Sequence, residues 1–258
     1  SIQDVDPENA DRISAYKGGL AKKIEVSQWA KEAGMALTIN APIHRQNIHN
    51  VPRMIEFAIE CGAGRIEIAH VQYYAWALLN RSSLMPTRES FMTAAKQVEE
   101  AREKYKGIIV IDMVVPDYYA KFPKPCMGGW AKQILNVTPS GRVLPCHAAE
   151  SITHLQFDNV KDRPLADIWL NGDAFNKYRG TEWMKEPCRS CPRKEIDFGG
   201  CRCQAFALTG DAANTDPACS LSPMHEEWAK VAEVESHSTP PEFVYRRVGA
   251  VKVTVGGA

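Results

Sequence analysis

The sequence predicts an α/β protein in which parallel βα units are followed by a small, irregular, metal-holding α+β region. Two observations carry this. Strand-like and helix-like stretches alternate through residues 1–115 at intervals of roughly thirty to forty residues, the pattern of βαβ units on a parallel sheet. Seven of the eight cysteines then fall between 126 and 219, and four of them lie in the sixteen residues CRSCPRKEIDFGGCRC. That density is too high for ordinary packing. With 258 residues and 45% hydrophobic content the chain can bury a sizeable core, in one large domain or two smaller ones.

The elements follow in order. Ser1–Gln3 reads as the end of a strand. A helix is expected over 11–33, with Ile13, Leu20, Ile24 and Trp29 at helical spacing and Gly34 as its C-cap. ALTIN, residues 36–40, is a short buried strand. Asn50 caps a helix with Pro52 in its first turn, which stops at Gly62. RIEIAHV, 65–71, alternates as a strand. Thr87 opens a long helix that Gly107 ends, and IIVIDMVV, 108–115, is a third strand. In barrels of such units the chemistry sits at the C-terminal ends of strands. Those ends carry Ser1, Gln3, Asn40, His44, His70, Gln72, Tyr73 and Tyr74. The same residues could simply cap strands and satisfy loops.

KFPKP, 121–125, is a proline-rich junction, and the domains are expected over 1–122, 123–222 and 223–258. Residues 134–138 and 142–144 form a hairpin about Pro139-Ser140-Gly141, which delivers Cys146 to a fixed place. Short helices are expected at 164–169 and 175–178, another after the cysteines, and one over 226–235. The tail after the prolines at 240 and 241 could add a strand.

Cys188-x-x-Cys191 can aim two thiolates at one soft metal. Gly199-Gly200 lets the backbone bend before Cys201-x-Cys203 and approach a bulky centre. Cys61, in FAIECGAG, suits a buried structural thiol. Three chemistries are open for the other seven. Disulfides cannot pair an odd number. Structural zinc wants four ligands per ion, and His147 and His154 are near. Two fully ligated iron–sulfur clusters need eight ligands, and Asp197 could be the eighth.

Composition excludes other classes. Thirty-one basic residues balance 31 acidic ones, so no global field points to nucleic acid or an anionic membrane. No apolar run has membrane-spanning length. Many unpaired thiols without a visible secretory signal suggest the reducing cytoplasm.

The spacing Cys126, Gly141-x4-Cys146, Cys188-x2-Cys191-x5-Asp197-x3-Cys201, Cys219, with GRVLPC, NVKDRPLADIWLN and GGC, resembles the SPASM domain of radical S-adenosylmethionine (SAM) enzymes. The βα units before it resemble the C-terminal half of a radical SAM partial (β/α) barrel. HRQNI, QYYAWALLNR and PCMGGW resemble the pyrroloquinoline quinone (PQQ) biosynthesis branch of that family. Its members join a glutamate side chain to a tyrosine ring within a small precursor peptide, PqqA, presented by the chaperone PqqD. The resemblance implies an oxidoreductase that modifies a peptide, with SAM and an external electron donor as further partners. Sulfatase maturation or thioether formation, or a non-enzymatic zinc module, are the rival functions.

The resemblance also implies ligands. Cys126, Cys146, Cys201 and Cys203 would hold one auxiliary cluster, and Cys188, Cys191, Asp197 and Cys219 the other. One would be [4Fe–4S], the other [2Fe–2S] or [4Fe–4S]. Asp197 stands where the family usually has cysteine, and Cys203 is additional. Ser1, Gln3, Asn40, Gln72 and Tyr73 would line the SAM pocket. The C-x3-C-x2-C motif of the SAM-cleaving [4Fe–4S] cluster is absent from these residues; its place would precede Ser1.

Overall fold

The computed structural model describes residues 1–115 and 117–245, in two compact units. The first comprises residues 1–72, 77–115 and 232–245, and the second residues 73–76 and 117–231.

The first unit is built on a three-stranded parallel sheet in the order β1 (Thr38–Ile43), β2 (Arg65–His70), β3 (Val110–Val114). Side chains alternate between its two faces, as the pleat requires. Ile39, Ala41 and Ile43 of β1, Ile66 and Ile68 of β2 and Ile111 of β3 are buried on one face. Two helices cover that face. One, Val51–Glu60, buries Val51, Met54, Ile55 and Ala58 at helical spacing. The other, Arg88–Lys104, buries Phe91, Ala94 and Val98. Thr87 caps the latter, its hydroxyl accepting from Ser90 N–H at 3.1 Å. On the other face Asn40, Glu67 and Asp112 stand in register across the three strands.

Three expectations change. The helix expected over 11–33 is two, Pro7–Ser14 and Gly19–Glu32. Asp6 caps the first, and Ala15 ends it in the left-handed region. The Asp11 carboxylate then accepts from Gly18 and Gly19 N–H at 2.8 and 3.3 Å and starts the second. The first strand runs 38–43 rather than 36–40, through Pro42, which an edge strand tolerates. Ser1–Gln3 is not a strand, although Ile2 N–H reaches Asn40 O at 2.9 Å. Two short helices, Ala75–Leu79 and Arg81–Leu84, were unforeseen.

The second unit has little regular structure. Its sheet is a two-stranded antiparallel hairpin, β4 (Asn136–Val137) and β5 (Val143–Leu144), shorter than expected. Gly141, at φ 90°, makes its turn. Short helices at Leu165–Asn171, Asp173–Asn176, Lys194–Asp197 and Arg202–Thr209 follow. Trp130, Val143, Leu144, Ile152, Ile168, Phe175 and Tyr178 pack with Cys146 and Cys203 into one core. Trp130 meets Tyr178 edge-on at 5.3 Å and donates from Nε1 to Ala174 O at 2.8 Å. The helix His225–His237, whose residues from 232 on belong to the first unit, is the last element among the described residues. Residues 238–245 are irregular; the rest of the expected tail strand falls outside the described residues. No helix among the described residues is long and apolar enough to cross a membrane.

Candidate metal centre

All eight cysteines are free thiols. Four converge inside the second unit. The hairpin presents Cys146 directly after β5, a 3-10 turn presents Cys126, and the start of helix Arg202–Thr209 presents Cys201 and Cys203. Cys126 shares a hydrogen-bonding contact with Cys201, and Cys203 with Cys146 and Cys201. Those bonds, with burial, raise the thiol pKa of Cys126 and Cys203. They lower that of Cys146 and Cys201 by stabilising the thiolate. Ala148 N–H adds a bond to Cys146 Sγ at 3.3 Å. Four clustered thiols, two of them already biased to the anion and receiving N–H bonds, suit a soft, electron-poor metal centre.

The other predicted ligands border one pocket. Cys188, Cys191, Asp197 and Cys219 line a space of about 320 Å³ with Phe122 and Thr215 among their neighbours. Thr215 Oγ1 lies 3.3 Å from Cys188 Sγ, and Arg193 N–H is 3.4 Å from Cys191 Sγ. Burial raises the Cys188 and Cys219 thiol pKa, and the Asp197 carboxylate adds to this. Asp197 is 6% exposed. Its Oδ2 accepts from Arg193 Nε at 3.1 Å and its Oδ1 from Gly199 N–H at 3.1 Å. Both carboxylate oxygens are therefore engaged. Gly200 explains why this loop is bare: a Cβ there would meet Asp216 Oδ2 at 2.5 Å and Pro123 Cβ at 2.8 Å. Among the described residues no three such side chains are placed to hold a single metal ion.

The residues expected to line a SAM pocket divide. Asn40 gathers Ser1, whose Oγ is 3.5 Å from Asn40 Oδ1, and donates to Glu67 Oε2 at 2.9 Å. Gln3 Oε1 accepts from Lys23 Nζ. Gln72, half-buried, is the last residue of the first unit's opening stretch. Tyr73 belongs to the second unit; it is 2% exposed and its ring meets Tyr118 edge-on at 5.1 Å. Of the other strand-end residues, His44 and His70 are buried. Burial, with the Arg12 charge, lowers His44 to a pKa of about 3, so it stays neutral. His154 bonds Tyr178 through Nε2 at 3.1 Å.

Two neighbours of the cysteines have surroundings that the sequence does not show. Tyr74 packs against the cysteine core, and its hydroxyl lies 3.0 Å from Nε2 of the exposed His147. Burial and the four nearby thiols push Tyr74 up to about 12. Arg202 is fully buried between Cys201 and Cys203. Its C-R-C setting is the only sequence signal, because arginine is seldom buried.

Comparisons with known proteins agree with this geometry. Residues 126–192 match SPASM, an iron-sulfur cluster-binding domain. Solved structures of Streptococcus suis SuiB share the fold. SuiB bound to S-adenosylmethionine aligns with a TM-score of 0.62 at 18% identity, over 85% of this chain and 53% of SuiB. SuiB bound to its precursor peptide SuiA aligns with a TM-score of 0.61 at 17% identity, over 85% of this chain and 52% of SuiB. The class this defines is a SuiB-like α/β fold that carries an iron-sulfur cluster-binding SPASM domain. A PqqA peptide cyclase from Granulibacter bethesdensis is 57% identical over 98% of this chain and 67% of its own length. One from Methylocella silvestris is 56% identical over 97% of this chain and 68% of its own length. The chain belongs to the PqqA peptide cyclase family and spans about two thirds of these relatives.

Proposed function

We propose that the chain is the SPASM-bearing part of a radical SAM enzyme that cross-links glutamate and tyrosine side chains of PqqA in PQQ biosynthesis. The carrying observation is 57% identity over 253 residues to a PqqA peptide cyclase. Sulfatase-maturing, thioether-forming and zinc-only functions have no comparable support.

The three-stranded sheet is read as the C-terminal half of the partial barrel. Its face with Asn40, Glu67 and Asp112 in register offers hydrogen-bonding groups to SAM or peptide. Ser1, Gln3 and Gln72 belong to the same unit and extend that surface. Cys126, Cys146, Cys201 and Cys203 are read as ligands of one auxiliary cluster, and Cys188, Cys191, Asp197 and Cys219 as ligands of the other. We assign [4Fe–4S] to one and [4Fe–4S] or [2Fe–2S] to the other. Reductive cleavage of SAM supplies a radical that removes a hydrogen from the glutamate side chain. Forming the carbon–carbon bond removes two hydrogens from the peptide: one leaves as the hydrogen atom taken by the radical, the other as a proton and an electron, so an electron acceptor is needed. The residues' part is to hold acceptors of tuned potential close by. PqqD would present the peptide, a donor would reduce the enzyme, and the compartment would be the reducing cytoplasm.

The test uses protein of the relatives' full length with SAM, reductant, PqqA and PqqD. The product peptide should be lighter by two hydrogens, with its glutamate and tyrosine fragments joined. The 258 residues alone, lacking C-x3-C-x2-C, should make no 5′-deoxyadenosine. An unmodified peptide beside abundant 5′-deoxyadenosine would reject the substrate assignment.

A further inference from the structure

Arg202 contradicts local preference in two ways. It is 1% exposed, yet it carries a full charge. It is the first residue of helix Arg202–Thr209, where the helix dipole disfavours a cation. Its hydrogen bonds bring no countercharge, since all of them end on backbone carbonyls. Nη1 donates to Ala212 O at 2.7 Å and Asn214 O at 2.8 Å, Nε to Gly200 O at 3.4 Å, and Nη2 to Gly199 O. The Trp183 ring covers the guanidinium, 4.8 Å from Cζ to centroid. A buried cation without an anion costs several kcal/mol. The molecule keeps it and holds it rigidly.

Its neighbours include the cysteines and the buried Asp216 carboxylate, which accepts from Cys201 N–H at 2.7 Å. Cys201 and Cys203 flank it in the chain. On the other side, a Cβ built on Gly199 would meet Arg202 Nη2 at 3.2 Å and Cys188 Sγ at 3.6 Å. Cation and thiol therefore border the same bare glycine.

We infer that Arg202 is a fixed countercharge shared by the two cysteine groups, a positioning residue that raises the reduction potentials of both clusters they would hold. The inference rests on reading those groups as cluster ligands. An electron added to either cluster adds negative charge near the guanidinium, which stabilises the reduced form. The guanidinium cannot lose its proton at any working pH. Pinned by carbonyls and covered by Trp183, it is poorly screened by water. A shared neighbour must move both potentials in the same direction.

The test is an anaerobic redox titration of the full-length holoenzyme followed by EPR, after iron and sulfide quantification and Mössbauer spectroscopy. Arg202→Gln should disfavour one-electron reduction of both clusters by about tenfold or more, a fall of about 59 mV each. Arg202→Lys, which keeps the charge, should restore most of the shift. Trp183→Leu, which admits water to the guanidinium, should lower both potentials by less. Wild-type protein without iron–sulfur clusters would overturn the ligand reading, and this inference with it. Intact clusters with unchanged potentials in Arg202→Gln, or a shift in only one, would overturn this inference alone. If Arg202→Gln loses its clusters, unchanged potentials in Trp183→Leu would overturn it instead.

Discussion

Asp197 shows what a single residue contributes and where sequence stops informing. Its place in the cysteine spacing marks it as a ligand candidate, and the structure puts it on the pocket with Cys188, Cys191 and Cys219. Nothing in the sequence shows that Arg193 and Gly199 N–H already hold both of its oxygens. In the proposed ligand set its carboxylate is a harder donor than a thiolate and would alter the charge at one iron. Asp197→Cys should therefore keep a full cluster with a changed EPR signal and midpoint potential. Asp197→Ala should leave one iron open and lower the iron content. If both variants keep the wild-type EPR, potential and iron content, the carboxylate only holds Arg193 and the loop. Arg202 and Tyr74 mark the same boundary. Burial of an arginine and contact between Tyr74 and His147 depend on chain segments far apart in sequence.

At the scale of elements, signals confined to one stretch were the legible ones. Pro52 near a helix start, Thr87 before a long helix, and the alternation of RIEIAH all lie where the local pattern puts them. Thr87→Ala should remove the bond to Ser90 N–H and destabilise the first unit by about 1 kcal/mol, measured as a lower urea midpoint at unchanged slope. An unchanged midpoint would mean that the end of this helix is held by packing alone. The helix expected over 11–33 failed because apolar spacing was weighed and the turn chemistry of Asp6, Asp11 and Gly18 was not. The hairpin is shorter than the sequence suggests, with only Asn136–Val137 and Val143–Leu144 paired as strands. Helices 75–79 and 81–84 read as an aromatic-rich strand end, since neither is long enough to show a period.

The molecule as a whole joins two units with different sources of stability. The first has a parallel sheet with an apolar face under two amphipathic helices. The second has strands of two residues and a core into which Cys146 and Cys203 are built. Metal binding supplies folding free energy in domains of this kind. Anaerobic iron chelation should thus expose amides of residues 126–219 to hydrogen exchange well before those of β1 to β3. Equal protection with and without iron would assign the second unit's stability to its aromatic core. The division into a βα part and a cysteine part was visible in the sequence, because strand period and cysteine density are both local properties.

The order of the sulfur-bearing residues along the chain has one more consequence. Cys126 and Cys146 come first, then Cys188, Cys191 and Asp197, then Cys201 and Cys203, and last Cys219. The two groups are interlaced like links of a chain. Bringing Cys146 to Cys203 ties off a loop that already contains three of the other group's four members. The entropy of closing a loop grows with its length, so each closure shortens the search for the next. Maturation should then be all-or-none: neither group can be excised as a contiguous piece, and whichever closes first draws the other toward its geometry.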